Sequence, residues 1–205
     1  LTGWLIPAGA FTYQDQTKIG AIQQLAAAVG AIIQTPPDTV TTPTLTIKPR
    51  FPVSPWQWVG VTPEVGIIDA QFEEVGRNWM PAPLYNAVVV AGVNYGKIVS
   101  VKRTGTAGDK QAPTFTSDLI CTDGAGRESG RIIMGRSGNW IKHTIRLFSL
   151  YPDGTPPGLL VPGTMIAVQE GATTWNGQVT GTTIAASNVS REVRQTIEVE
   201  EYADV

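Results

Sequence analysis

The chain has 205 residues, of which 16% are charged, and its formal net charge at pH 7 is −2. Soluble domains average about 25% charged residues, so this chain is poor in charge and lacks the basic composition of a protein that binds nucleic acid or an anionic membrane. The single cysteine excludes an intrachain disulfide. No apolar run approaches the roughly 20 residues of a transmembrane helix, and the 22 glycines and 15 prolines predict a β-rich chain with many turns.

Residues 1–62 predict a small α/β unit. In Lys18–Val29, apolar residues recur at three- and four-residue spacing, which is typical of an amphipathic helix. Gly30 follows, where a helix commonly ends in the left-handed conformation. Short strands are predicted at 31–34 and 45–47. A connector rich in Pro and Trp closes this unit, because proline interrupts both helices and ladders.

Residues 63–205 predict an antiparallel β-barrel-like domain. Its strands are placed at about 84–103 and 139–202, and an insertion at 104–138 carries one short helix. Residues 88–90 are all valine, so apolar side chains lie on both faces of this segment, as in a strand that is buried on both faces. The predicted fold class is therefore α+β, mainly β, with a small α/β unit followed by a barrel-like domain that has a short helical insertion.

The C-terminal stretch predicts three consecutive strands, at 164–169, 173–186 and 189–201. The last of these alternates apolar and polar residues, which indicates one buried and one wet face. In the middle strand the alternation breaks near Gly181. A β-bulge at or after Gly181 is predicted, which would bend the strand and help a barrel to close.

Four tryptophans are candidates for a protein interface. The first 60 residues hold only five charged side chains, and interface cores are depleted in charge and enriched in aromatic residues. The candidates are Trp4, Trp56, Trp58 and Trp175. An equally good interpretation is that the charge-poor segment belongs to the core of its own domain, and the sequence leaves both open.

The sequence offers little that could perform catalysis. His143 is the one histidine and Cys121 the one cysteine, so a nucleophilic site would need the fold to bring them together. His143 lies between apolar residues in a strand-like run, which favours a hydrogen-bonded core or interface histidine. Cys121 is interpreted as a small buried hydrophobe. We therefore predict a non-enzymatic protein with no catalytic residue, no cofactor and no metal site.

A series of segments in a fixed order carries a resemblance to a known family. The segments are Tyr13-Gln14-Asp15 before the helix, 25–31 (LAAAVGA), 45–50 (LTIKPR), 83–92 (PLYNAVVVAG), 103–109 (RTGTAGD), 160–164 (LVPGT), Trp175-Asn176-Gly177 and 194–200 (RQTIEVE). This order resembles the C-terminal part of the tail hub (baseplate hub) proteins of tailed bacteriophages, of the Mu-like and siphophage type. The resemblance extends over nearly the whole chain.

The resemblance implies a structural protein at the tail tip of a virion, made in the cytoplasm of the bacterial host. It implies a ring, usually a homotrimer, whose partners are the tail tube or distal tail protein on one side and a fibre or spike on the other. DNA and the tape measure would pass through its channel, and this segment would not insert into a membrane. Since the chain begins at Leu1 rather than Met, a fragment or processed product is expected.

Two further hypotheses follow, one about the channel of the hub and one about an alternative function. The acidic residues Glu198, Glu200, Glu201 and Asp204 would repel DNA phosphates, which suits a channel that passes DNA without holding it. In the alternative function, the chain is a non-enzymatic β-rich module that recognises carbohydrate or protein on the host surface. Trp56, Trp58 and Trp175 would then serve as exposed stacking platforms.

Overall fold

The structure, a computed structural model, describes residues 4–35, 44–148, 157–188 and 192–203. Its α-helices and strands in chain order are α1 (Lys18–Ala28), β1 (Ala31–Gln34), β2 (Thr46–Pro49), β3 (Val65–Ile67), β4 (Phe72–Met80), β5 (Ala87–Gly92), β6 (Ile98–Lys102), β7 (Phe115–Ser117), α2 (Asp123–Gly135), β8 (Trp140–Leu147), β9 (Met165–Glu170), β10 (Thr173–Ser187) and β11 (Glu192–Tyr202). Two short 3₁₀ helices, Pro55–Gly60 and Asp69–Gln71, flank β3. The predicted class, α+β and mainly β, is confirmed.

The chain divides into two compact units, and each unit is built from two separate segments. The first unit comprises 1–54 and 84–137, and the second comprises 55–83 and 138–205. This division differs from the predicted domains, 1–62 and 63–205. The hairpin β5–β6, which was expected in the barrel-like domain, pairs with β7 and packs on α2 instead. Residues 104–137 of the predicted insertion therefore complete the first unit and do not interrupt the C-terminal sheet.

In the first unit, α1 begins and ends as its sequence signals predict. The hydroxyl of Thr17 accepts a hydrogen bond from the Gly20 amide at 3.1 Å, which caps the amino terminus. Gly30 follows the helix with a positive φ of 61°. The predicted apolar face is only partly correct, because Ile19 is 41% exposed and the buried positions are alanines. Small side chains allow a close approach here, and the Ser129 hydroxyl of α2 donates to the carbonyl of Ala28 at 3.0 Å.

Helix α2 covers one face of the three-stranded sheet β6-β5-β7. A Cβ at Gly126 would lie 2.7 Å from a methyl of Val99, and one at Gly130 would lie 2.6 Å from a methyl of Val101. These glycines lower helix propensity, but they let the helix axis approach β6 closely. Val88 is fully buried on this side, whereas Val89 on the opposite face is half-buried. The prediction that β5 is buried on both faces is therefore wrong.

The side chain of Asn86 ties the polar segment after β6 to the start of β5. Its amide nitrogen donates to the Asp109 carboxylate at 2.9 Å, and its amide oxygen accepts from the Lys110 backbone at 2.9 Å. The hydrogen bond from Asn86 is the main reason that the pKa of Asp109 lies below its ordinary value. This segment is thus fixed against the start of β5.

The second unit is a six-stranded sheet in the order β3-β9-β10-β11-β8-β4. All pairs are antiparallel except β3–β9, which is parallel. One cluster of buried residues forms its core: Ile67, Ile145, Leu147, Leu160, Ile166, Val168, Val179, Ile197 and Val199, with Phe72 and Val75 packed against it. Both edge strands, β3 and β4, contribute to this single core, and only residues 68–71 separate them in the chain. The sheet is therefore rolled and barrel-like, and among the described residues it stays open between β3 and β4.

The predicted bulge is present, one residue earlier than expected. The register of β10 against β11 shifts between Val179 and Gly181, so the extra residue is Thr180. Val179 faces the core before the bulge, and Thr182 lies opposite the buried Ile197 after it. The bulge thus moves the inner face of β10 from odd-numbered to even-numbered residues, which explains the break in alternation seen in the sequence.

Candidate interaction surface

His143 is a core histidine, as its position in the sequence predicts. It is 1% exposed, and its Nε2 lies 2.7 Å from a carboxylate oxygen of Glu201 on the neighbouring strand β11. Its ring stacks on Trp175 of β10, with centroids 4.0 Å apart and planes 16° from parallel. These are the contacts of a structural residue, because one ring nitrogen is bonded to Glu201 and the ring is covered by Trp175.

The same cluster extends to the edge of the sheet through further polar contacts. The Trp175 indole nitrogen donates to a carboxylate oxygen of Glu170 at 3.1 Å, and the other oxygen of Glu170 pairs with Arg77 on β4. The chain of contacts from Glu201 through His143 to Arg77 involves five of the six strands. We interpret it as the polar closure of one end of the rolled sheet.

Cys121 is also buried, at 9% exposure, and its thiol contacts the carbonyl of Asp118 at 3.6 Å. Burial raises the pKa of this thiol above its ordinary value. Cys121 belongs to the first unit, whereas His143 belongs to the second and has Glu201 and Trp175 as its partners. The contacts of the two residues therefore give no support to a nucleophilic pair.

We expect iodoacetamide to alkylate Cys121 in the native protein at least about tenfold more slowly than it alkylates free glutathione, because burial lowers both the thiolate fraction and the access of the reagent. Mass spectrometry after timed quenching measures the rate. The same reaction in denaturant, where the thiol is exposed, serves as the control and is expected to go to completion. A native rate equal to that of glutathione would contradict the buried thiol.

The four candidate interface tryptophans differ in their surroundings. Trp58 is 2% exposed and packs edge-on against Trp140 at 5.6 Å, so it lies in the core of its own unit. Trp175 is half-buried on His143, and half-buried Trp4 donates its indole N–H to the Leu119 carbonyl at 3.2 Å. Trp56 is half-buried as well. Trp58 therefore cannot serve as an exposed stacking platform.

The largest exposed aromatic side chain of the second unit is one that the sequence did not single out. Trp79 is 54% exposed, and its neighbour Met80 is 37% exposed, at the end of edge strand β4. The sequence of 67–79 is compatible with a strand or with a helix, and it therefore does not assign the faces of this segment. Only the register with β8, in which Trp79 lies opposite Ile141, places it.

The acidic residues of β11 do not form a free negative strip. Glu198 pairs with Lys142 at 2.9 Å, and Glu201 is bound to His143. Asp204 lies outside the described residues. Repulsion of DNA by this acidic run is thus reduced by partners from β8.

No group of three or more His, Cys, Asp or Glu side chains within the described residues is placed to hold a metal ion. In the same part of the chain, no helix is long and apolar enough to cross a membrane.

Comparison with known proteins finds likeness in structure. No family model and no curated protein matches the chain. The tail protein from Neisseria meningitidis MC58 matches with a TM-score of 0.55 and 14% identity, over 93% of this chain and 56% of that one. The 43 kDa tail protein of prophage MuSo2 from Shewanella oneidensis matches with a TM-score of 0.54 and 11% identity, over 92% of this chain and 54% of that one. A structure of the phage P2 baseplate covers 95% of the chain and 56% of its own length at 12% identity, but its TM-score is 0.28, too low to support an argument.

Because the sequence identities are only 14% and 11%, the structural similarity shows a shared fold alone. The resemblance to phage tail proteins drawn from the sequence is confirmed at that level, because two solved structures that share the fold are tail proteins. The chain spans about half the length of the tail proteins that it matches.

Proposed function

We propose that the chain is a non-enzymatic structural component of a phage tail tip. It forms part of the central hub ring that joins the tail tube to the distal fibre or spike, and it acts by assembly. The observation that carries this proposal is the fold match to a tail protein across 93% of the chain. The homotrimeric state, the tube and fibre partners and the channel for DNA belong to the proposal.

The surface of the second unit suits a subunit that is covered by neighbours. The edge strand β4 leaves one side of its nine-residue backbone unpaired among the described residues, and it exposes Trp79 and Met80 at its end. The unpaired backbone of an edge strand is a template for pairing with another chain. A monomer that stayed exposed here would risk aggregation, whereas a ring subunit would bury the edge.

The described basic side chains of the sheet are paired with carboxylates of the same unit. Lys142 pairs with Glu198 at 2.9 Å, while Arg146 and Arg194 both pair with Glu73. Free lysines and arginines would bind DNA phosphates in a salt-dependent way. Their pairing supports a structure past which DNA can move without being held, whichever face of the ring lines the channel.

Immunogold electron microscopy of purified virions tests the proposal. With an epitope tag on the full-length protein, we expect label at the distal end of the tail tube. A deletion of the gene should stop tail assembly at the tip, and complementation should restore it. Label confined to fibre ends would favour the host-recognition function instead, and particles that lack the protein altogether would contradict both.

A further inference from the structure

Strand β4 is one edge of the six-stranded sheet, and its second half is weakly packed. Val75 packs against the core, but every residue of 76–80 is exposed. This half is paired with β8, and no described strand pairs with its other side. A segment with few buried contacts and exposed backbone hydrogen bonds is one that opens locally. The position of 76–80 therefore depends on the ladder with β8 and on any further contact of its side chains.

Arg77 makes that further contact. Its guanidinium pairs with the Glu170 carboxylate of β9, and within the described part of the chain it is the one side chain of 76–80 that has a hydrogen bond or an ion pair. Strands β4 and β9 are not neighbours in the sheet, because β4 lies at one edge and β9 lies beside the other edge strand, β3. The pair therefore connects the two sides of the opening, which the described backbone ladders of the sheet do not.

The pair lies on the inner face of the rolled sheet. Arg77 is directly opposite the buried His143, and Glu170 is two residues from the buried Val168, on the same face of β9. Glu170 has a second contact there, because its other carboxylate oxygen accepts from the Trp175 indole at 3.1 Å. The Arg77 side chain is 54% exposed and that of Glu170 only 20%. The carboxylate is thus fixed within the sheet, and the guanidinium is the partner that faces solvent.

The start of β4 is fixed independently of Arg77. Residues 68–71 connect it directly to β3, and Asp69 within them accepts a hydrogen bond from the Gly171 amide at 2.7 Å. The register against β8 then shifts between Phe72 and Glu74, which marks a bulge. The part of β4 after the bulge can therefore move without a break in the connection to β3.

We propose that the Arg77–Glu170 pair is a latch that holds the second half of β4 against the opening of the rolled sheet. When the pair is released, 76–80 moves away from β9 while β8, β11 and β10 stay paired with one another. The sheet then opens at this edge without unfolding. Because the guanidinium is half exposed, salt screens the pair, and high ionic strength favours the open form. The latch acts within one chain and does not depend on the proposed ring.

Hydrogen–deuterium exchange of the full-length protein measures this opening. Arg77→Met removes the charge and keeps much of the aliphatic stem, whereas Glu170→Gln removes the charge and keeps an oxygen that can accept from Trp175. In both variants, the amides of 76–80 that bond to β8 are expected to exchange about two- to fivefold faster than in the wild type, as the loss of one partly exposed ion pair implies. The amides of β10 and β11 are expected to keep their rates. Sodium chloride at about 1 M should accelerate the same amides of 76–80 in the wild type.

Lys142→Met is the matched control. Lys142 pairs with Glu198 at 2.9 Å, and the two side chains are 35% and 48% exposed. This pair connects β8 to β11, which are already neighbours in the sheet, so its loss is expected to leave the exchange of 76–80 unchanged. An equal acceleration in Lys142→Met would overturn the latch, because the loss of any ion pair would then have the same effect.

Two other results would also overturn the latch. Unchanged exchange of 76–80 in both Arg77→Met and Glu170→Gln would show that the pair does not hold the edge. Equal acceleration in β10 and β11 would show that the whole sheet opens rather than this edge. Circular dichroism identifies a variant that fails to fold, and the remaining variant and the salt response of the wild type then decide.

Discussion

Gly92→Ala is expected to destabilise the first unit by about 3 kcal/mol, the upper part of the range for overpacking. A Cβ on Gly92 would overlap the backbone oxygen of Ile120 and lie 3.2 Å from its carbonyl carbon. The obstacle is main chain, which cannot rotate away like a side chain, and Ile120 itself is fully buried. Urea unfolding followed by circular dichroism measures the loss as a lower midpoint.

Gly124→Ala is the control for Gly92→Ala within the same unit. A Cβ at Gly124 would meet no atom within 4 Å, and the residue lies in the first turn of α2. Alanine is favoured over glycine in a helix by up to about 1 kcal/mol, so this variant is expected to be as stable as the wild type or more stable. If Gly92→Ala unfolds at the same urea concentration as the wild type, the close approach of β5 to Ile120 is wrong.

Local signals predicted the parts of the fold that depend on neighbours in sequence. Thr17 and Gly30 bound α1 because capping and the left-handed conformation are decided within a few residues. Asn94-Tyr95-Gly96 is a turn signal of the same local kind, and it indicates the β5–β6 hairpin. Which sheet that hairpin joins depends on distant packing against α2. The sequence therefore predicted the hairpin but placed it in the barrel-like domain.

The candidate interface tryptophans show even more clearly that local sequence does not determine packing between distant residues. Trp58 and Trp79 both follow charge-poor or irregular sequence, yet one is 2% and the other 54% exposed. Trp58 lies in the 3₁₀ helix Pro55–Gly60 and packs on Trp140. Trp79 lies on edge strand β4, where a shift of register by one residue would exchange the two faces. Composition could suggest that tryptophans meet a partner, but it could not say which ones. The parity break near Gly181 was informative because a bulge changes the alternation itself.

His143→Ala is expected to destabilise the second unit by about 3 kcal/mol. The change removes a fully buried ring that stacks on Trp175 and leaves the Glu201 carboxylate, 21% exposed, without its hydrogen-bond partner. His143→Phe keeps an aromatic ring against Trp175 but not the hydrogen bond, so it is expected to lose less. Urea unfolding monitored by tryptophan fluorescence measures both, because the stacked indole reports on this site.

Thr144→Ala, one residue further along β8 and exposed on the opposite face, is the control for the His143 variants and is expected to stay within about 0.5 kcal/mol of the wild type. The order of stability should be Thr144→Ala, then His143→Phe, then His143→Ala. If His143→Ala matched the control, the cluster that ties β11, β8 and β10 together would not stabilise the sheet. If His143→Phe matched His143→Ala, the hydrogen bond to Glu201 and not the stack would be the main contribution of the histidine.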